Sequence, residues 1–287
     1  MKVDVACVGA PFLDLIFRGL DGLPIPGEER LAQSLVIVPG GMANVAYALR
    51  RLELEAVVCG PVGHDPAGRL LARLMADAGV PWVGRDADAT SVSVALPVDG
   101  ERAFVTVMPP TAVDLETLAR ISPRAIVVDL PSMALMPADA RVYAVVGDPE
   151  VQALVGHLPS SLGGVRALVL NEREVRGLTG LQDVTAAAGM LAALGTTVVV
   201  TGGAGGAVAV EASGRRVHVA APPAEVRDTT GAGDLFVAAY IWADLADRPL
   251  DERLQLATRY ASRSLERATD RQKGIELLEF MELLAAR

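Results

Sequence analysis

Six short runs of almost uninterrupted apolar residues, separated by amphipathic stretches, narrow the possible folds of this chain more than any other feature. They lie at 3–9, 56–59, 125–130, 142–147, 167–170 and 197–201. Runs without polar alternation suit strands covered on both faces. Between and after them, residues 44–52, 66–78, 151–158, 184–194, 235–245, 251–268 and 275–286 carry helical spacing. Strand and helix in regular succession imply an α/β fold, a doubly wound, mostly parallel sheet with helices on both faces. With no internal repeat or long linker, residues 1–287 read as one domain.

Two stretches break the rhythm. Residues 20–38 are rich in Pro and Gly and then turn extended. Residues 91–108 alternate as Val-Ser-Val-Ala-Leu, turn at Asp99-Gly100-Glu101-Arg102 and return as Ala-Phe-Val-Thr-Val, the pattern of a hairpin. Strands without crossover helices do not readily join a parallel sheet. The expectation is a small β layer built from about 15–38 and 90–108 and projecting as a lid, with extension of the main sheet edge as the alternative.

Composition excludes several classes of function. A net charge of −9 with the basic residues scattered argues against nucleic acid as a partner. No apolar stretch reaches the roughly 18 residues of a membrane span, and the N-terminus lacks a signal-peptide core, so a cytoplasmic protein is expected. Cys7 and Cys59 sit in apolar strand-like runs, as buried reduced thiols do, and His64, His157 and His218 share no metal-ligand spacing. The only lysines are Lys2 and Lys273, and neither belongs to a GxxxxGK[ST] loop. A full GxGxxG is also missing, which removes the dinucleotide fingerprint.

Asp228-Thr229-Thr230-Gly231-Ala232-Gly233-Asp234 runs straight into the apolar 235–242, a glycine-rich turn opening a buried helix. Amides ahead of such a helix can converge on an anion, where the positive end of the macrodipole also acts. A carboxylate beside an anion site is unfavourable unless it has work to do. Taking a proton from a hydroxyl that attacks phosphorus is such work. For a lone GxGD, a tight turn with Asp234 as a first-turn residue explains the same pattern.

Other segments take their meaning from company. Asp14, in Gly9-Ala10-Pro11-Phe12-Leu13-Asp14, is expected beyond the carboxyl end of the first strand, where open α/β sheets bind ligands; a turn or cap is the plainer reading. Pro39-Gly40-Gly41-Met42-Ala43-Asn44 offers close backbone approach and a side chain that both donates and accepts, although Asn44 also suits an N-cap. Asp65 before Pro66 matches an N-cap with proline at the first helical position. Asn171 and Glu174 are spaced to hold a hydrated Mg²⁺ or to start a helix, and Thr201-Gly202-Gly203-Ala204-Gly205-Gly206 is a nucleotide loop or a hairpin turn. Arg102 either meets a charged substrate or is an exposed turn arginine.

In this order, these segments closely resemble the ribokinase-like, PfkB-type family of carbohydrate and nucleoside kinases over essentially the whole chain. The resemblance implies ATP-dependent phosphorylation of a sugar hydroxyl. Asp234 would be the catalytic base, and the amides of Gly231, Ala232 and Gly233 the anion hole. Asp14, Gly40, Gly41 and Asn44 would face the acceptor. Asn171 and Glu174 would correspond to the NxxE motif, with Glu174 near Mg²⁺ through water, and Thr201, Gly203 and Gly206 to the nucleotide loop. Asp228 and Thr230 match positions that bind a monovalent cation such as K⁺ in ribokinase. The lid would clasp a second lid into a homodimer. The chain departs from the family pattern in having only Met42 and Ala43 between the glycine pair and the asparagine. It also has no lysine in that loop, and no asparagine or arginine in Gly147-Asp148-Pro149-Glu150. Related folds phosphorylate nucleosides or vitamin precursors, and a sugar-binding regulator without catalysis is the alternative of another class. The low aromatic content, 4%, disfavours a base-stacking pocket, although Phe12 or Phe104 would suffice for one.

Overall fold

The structure, a computed structural model, describes residues 2–98, 101–109, 112–137, 139–227, 229–267 and 274–285. In chain order the strands are β1 (Val5–Val8), β2 (Pro11–Arg18), β3 (Ser34–Gly41), β4 (Ala56–Cys59), β5 (Val62–Gly63), β6 (Asp86–Ala87), β7 (Ser91–Val98), β8 (Glu101–Val107), β9 (Ala125–Asp129), β10 (Arg141–Val145), β11 (Val165–Asn171), β12 (Thr197–Thr201), β13 (Ala207–Val210) and β14 (Arg216–Val219). The helices are α1 (Met42–Arg51), α2 (Pro66–Asp77), α3 (Leu115–Ile121), α4 (Asp148–Leu154), α5 (Glu172–Thr179), α6 (Val184–Ala192), α7 (Ala232–Leu245), α8 (Leu250–Ser264) and α9 (Leu277–Ala285).

All six apolar runs form the parallel part of one sheet, in the order β4-β1-β9-β10-β11-β12, with β13 and β14 added antiparallel beyond β12. Because side chains alternate along a strand, each run feeds two cores. Val5, Cys7, Val127, Tyr143 and Val169 enter the core shared with α1, α7 and α8, whereas Ala6, Val8, Ile126 and Val128 point to the opposite layer. Strand order reverses between β1 and β9. The crevice outside the carboxyl ends of strands at such a switch point is where open α/β sheets accept ligands.

The second sheet, β3-β2-β7-β8, stands apart from the first, as the two irregular stretches predicted. Its register places complete rows of residues on opposite sides. Val38, Asp14, Ser93 and Thr106 share one side, and Val36, Ile16, Ala95 and Phe104 form the next row on it. The other side carries Ile37, Leu15, Val94 and Val105, with Pro39, Leu13, Val92 and Val107 nearer the body. Asp65 caps α2 as expected, accepting from the Gly68 amide at 2.7 Å. It also accepts from the Thr90 amide and hydroxyl, each at 2.8 Å, and so ties the start of β7 to the body.

Several expectations are corrected. The first strand ends at Val8, and Asp14 lies inside lid strand β2, because the chain turns back at Gly9 and re-enters extended structure at Pro11. The lid accordingly begins earlier than residue 15, and residues 19–33 of its first segment are not strand. Helix α4 starts at Asp148 rather than 151, because Asp148 and Pro149 form its first turn and Glu150 accepts from the Gly147 amide at 3.0 Å. Helix α7 starts at Ala232, within the glycine-rich turn. Helix α3 and strand β14 are additions that short, charged segments hid, whereas α5 begins at the helix start that Asn171 and Glu174 offered.

Candidate active site

Helix α7 is buried on nearly every face from Leu235 to Leu245, so it is a central helix, and its first turn meets that of α1, whose Met42 amide donates to the Ala10 carbonyl just beyond the end of β1. Gly231 caps it with φ 74°, and Asp234 sits in its first turn. Burial pushes the Asp234 carboxyl up to about 6, while a hydrogen bond donated by Asn44 Nδ2 to Oδ2 at 3.0 Å pulls the other way. No protein group among the described residues donates to Oδ1. Of the three amides expected to bind an anion, that of Ala232 donates to the Thr229 carbonyl at 3.2 Å. The N–H groups of Gly233 and Asp234 lie in the first turn, where helical geometry supplies no intrahelical acceptor, and no acceptor for either is present among the described residues.

Asn44 is not an N-cap. Gly41 occupies that position at φ 58°, a turn that joins β3 directly to α1, and Asn44 lies one turn further in, aimed across at α7. Gly40 is required for a different reason: a Cβ there would lie 1.9 Å from Asp14 Oδ2. Asp14 thus rests against bare backbone. Burial, with the charge of Asp234 behind it, pushes its carboxyl up to about 7. Asp14, Gly40, Asn44 and Asp234 therefore form one cluster contributed by β2, β3, α1 and α7.

Asn171 and Glu174 combine both of their sequence readings. Asn171 Oδ1 accepts from the Glu174 amide at 2.9 Å, and Glu174 Oε2 accepts from the Asn171 amide at 2.7 Å, a capping box that starts α5. Burial pushes Glu174 up to about 7 against that bond and the charge of Arg173, with Glu150 and Asp234 adding to the rise. Asn171 is paired in register with Thr201, so both lie at the carboxyl ends of adjacent strands. Gly203 and Gly206 belong to the turn from β12 into antiparallel β13, so the loop is a hairpin turn by construction. No hydrogen bond among the described residues joins this group to the Asp234 cluster.

The Glu174 carboxylate lies within electrostatic reach of Glu150 and of Asp234, a setting that a divalent cation would relieve. Among the described residues no group of three or more His, Cys, Asp or Glu side chains could hold a metal directly. The donor set therefore fits Mg²⁺ that keeps its waters and lies near Glu174, and not a protein cage. Thr230 is half-buried beside the start of α7, whereas Asp228, its expected partner in holding a monovalent cation, lies outside the described residues. Glu150 and the Ser93–Thr106 pair, whose hydroxyls are 2.9 Å apart on the Asp14 side of the lid, are additions to the site. The alternation of the 91–108 hairpin carried the signal for Ser93, since it shares a row with Asp14. Cys7 and Cys59 are buried and free, and no helix among the described residues is long and apolar enough to cross a membrane.

A buried carboxylate at a helix start, bonded to an amide and within electrostatic reach of a second carboxylate, on a doubly wound sheet with a separate four-stranded layer, is an arrangement suited to phosphoryl transfer. The chain belongs to the pfkB family of carbohydrate kinases, whose model matches residues 2–128 and 140–274. It is a phosphotransferase with an alcohol group as acceptor. The aminoimidazole riboside kinase of Salmonella typhimurium is 31% identical over 242 residues, covering 71% of this chain and 73% of that protein. The fructokinase of Klebsiella pneumoniae is 31% identical over 265 residues, covering 82% and 84%. The structure of Arabidopsis thaliana ribokinase complexed with ribose and ATP superposes with a TM-score of 0.80 at 23% identity, covering the whole of both chains.

Proposed function

We propose that the protein transfers the γ-phosphoryl group of ATP to a hydroxyl of a sugar or related polyhydroxyl molecule, with Asp234 as general base. The observation that carries this is the Asn44–Asp234 bond, which fixes Oδ2 while no described protein group donates to Oδ1, with the Asp14 carboxyl within electrostatic reach. An acceptor hydroxyl between Asp234 and the nucleotide would lose its proton as it attacks phosphorus, and the first-turn amides of α7 would receive the developing charge. Asn44 and Asp14 would orient the acceptor's other hydroxyls. Mg²⁺ near Glu174 would supply charge neutralisation on the phosphates, and Thr201, Gly203 and Gly206 would border the nucleotide. Thr230 and Asp228 would hold a monovalent cation if one is used. ATP as donor agrees with the ribose and ATP complex of the Arabidopsis neighbour. The test is ADP release and product formation with MgATP over a panel of sugars, nucleosides and vitamin precursors. Acceptor-dependent turnover with a polyhydroxyl compound supports the reading, and turnover restricted to nucleosides or absent altogether rejects it.

The pH dependence follows from the carboxylates. With Asp234 near 6 in the free enzyme, kcat/KM falls as pH drops through about 6, because the base becomes protonated. Acid unfolding does not explain that limb. Asp14 and Asp234 are raised from 3.8, and Glu174 from 4.5, so their contribution to stability is present below the unfolded values and lost as pH rises through about 6 to 7. Between about pH 7 and 5 these groups stabilise the fold on acidification while activity declines. Thermal melts and initial rates across the same buffers check this; a melting temperature that falls in step with activity would overturn it.

The lid side facing away from Asp14 is apolar over three successive rows, from Leu13–Val92–Val107 through Leu15–Val94–Val105 to Leu96–Ala103, and Val105 and Val107 remain 62% and 65% exposed. A second copy of the same lid covers such a surface, making a homodimer. Sedimentation of the wild type is expected to give a dimer, and Val105→Glu with Val107→Glu a folded monomer. A monomeric wild type would remove the proposal.

A further inference from the structure

At the amino ends of the main-sheet strands, away from Asn171 and Thr201, a cleft of about 590 Å³ opens between the starts of β10, β11 and β12 and the end of β13. Arg141 and Arg166 line it from adjacent strands, and Gly163 and Gly164 keep part of its wall free of side chains. A Cβ at Gly164 would meet nothing within 4 Å. The register between β10 and β11 skips Arg166, since Val142 is opposite Val165 and Tyr143 is opposite Ala167. An extra residue of this kind re-aims a side chain. Here it sends Arg166 toward α7, where its Nε and Nη2 donate to the two oxygens of Asp244 at 3.0 and 2.9 Å.

The charge balance at this cleft is uneven. Asp244 is 0% exposed and pairs with both Arg166 and Arg253, so two cations share one buried anion. The Arg253 side chain is 15% exposed and that of Arg166 47%, which puts the surplus positive charge on the cleft side. Asp244 occupies Nε and Nη2 of Arg166, and Nη1 donates to nothing among the described residues. Arg141 has as its partner among those residues only Asp247, at 3.7 Å, a pair too open to quench its charge. On the β13 side, Glu211 is already paired with Arg215 at 3.9 Å and accepts from the Ser213 hydroxyl at 3.5 Å. An anion between Arg141 and Arg166 gains two charge-assisted donors and leaves the bonds to Asp244 in place. Glu211 and Ser213 are then positioned for hydroxyl groups of the same molecule.

We propose that this cleft is a second ligand site, for a small hydroxylated anion whose phosphate or carboxylate lies between Arg141 and Arg166. The length of β11, about 20 Å, separates it from Asn171, and Asp244 stands about 15 Å along α7 from Asp234. The site is therefore distinct from the Asp234 cluster and independent of the reaction assigned there. The test is isothermal titration of the whole protein with glycerol 3-phosphate, with glycerate and with glycerol as the neutral control, using wild type, Arg141→Gln, Arg141→Glu and Arg166→Gln. Thermal melts of each variant accompany the titrations. The Arg141 variants should melt near the wild type, because an exposed ion pair contributes little, and they decide the matter if Arg166→Gln is unstable. One of the two anions is expected to bind the wild type at least about tenfold more tightly than glycerol, and which one identifies the charged group. Arg141→Gln and Arg166→Gln should each weaken that binding by about tenfold, and Arg141→Glu should abolish it. Neither anion binding better than glycerol overturns the proposal. Equal affinity in wild type and Arg141→Glu does so too, since the anion then lies elsewhere.

Discussion

Asp234→Asn is expected to lower kcat by at least about a hundredfold with little change in nucleotide affinity, on the scale of general-base contributions. The substitution is nearly isosteric, and an asparagine oxygen can still accept from Asn44 Nδ2, so the α1–α7 link is kept. What disappears is the proton acceptor. Because burial raises the Asp234 carboxyl, its ionised form is held at a cost to the fold, so the amide should leave the melting temperature at about pH 7.5 unchanged or slightly higher. Loss of turnover without loss of stability separates a chemical role from a structural one. Single-turnover kinetics with nucleotide binding measured in parallel would check both halves, and wild-type-like turnover would reject the base assignment.

Asp244→Ala should give the largest change in stability. Asp244, 0% exposed near the end of α7, accepts from Arg166 Nε at 3.0 Å and Nη2 at 2.9 Å, from the Tyr143 hydroxyl, and pairs with Arg253. Burial alone would push this carboxyl up. The bonds from Arg166 and Tyr143 and the charges of Arg253 and Arg166 outweigh it and hold the group below the usual carboxylate range. Its stabilising contribution is therefore present above about pH 4 and lost as pH falls further. Removing the anion strands two cations and a hydroxyl, which costs about 3 to 5 kcal/mol and lowers Tm by on the order of 10 °C. Differential scanning calorimetry of Asp244→Ala beside a variant with apolar residues at 143, 166, 244 and 253 together would test the argument. The combined variant should recover much of the loss, since a well-packed apolar set can match a buried ion group. A loss below about 1 kcal/mol for the single substitution would contradict it.

The parallel sheet was legible because each of its strands is buried on both faces, and nothing but uninterrupted apolar sequence satisfies that condition. The lid was legible as a hairpin, yet Asp14 was misplaced: β1 and β2 are separated only by Gly9 and Ala10, and no composition change marks where one sheet gives way to another. The short helix α3 escaped because few apolar side chains anchor it. In the site, Asp234 and Asn44 stand 190 positions apart in sequence, so their bond could be inferred only through family resemblance. Ser93 was within reach of period-two reasoning once the register with Asp14 was known, since its side of the sheet depends on that register alone.

Strand β3 passes into helix α1 through Gly41 with no loop between them. Asp14 and Gly40 are carried by the sheet above the crevice, whereas Asn44 and Asp234 are built into the body beneath it. A molecule touching both sets spans a joint one residue long, so its own rigidity fixes the angle at which the two layers meet. Occupancy of the crevice and the angle between the two layers are then mechanically inseparable.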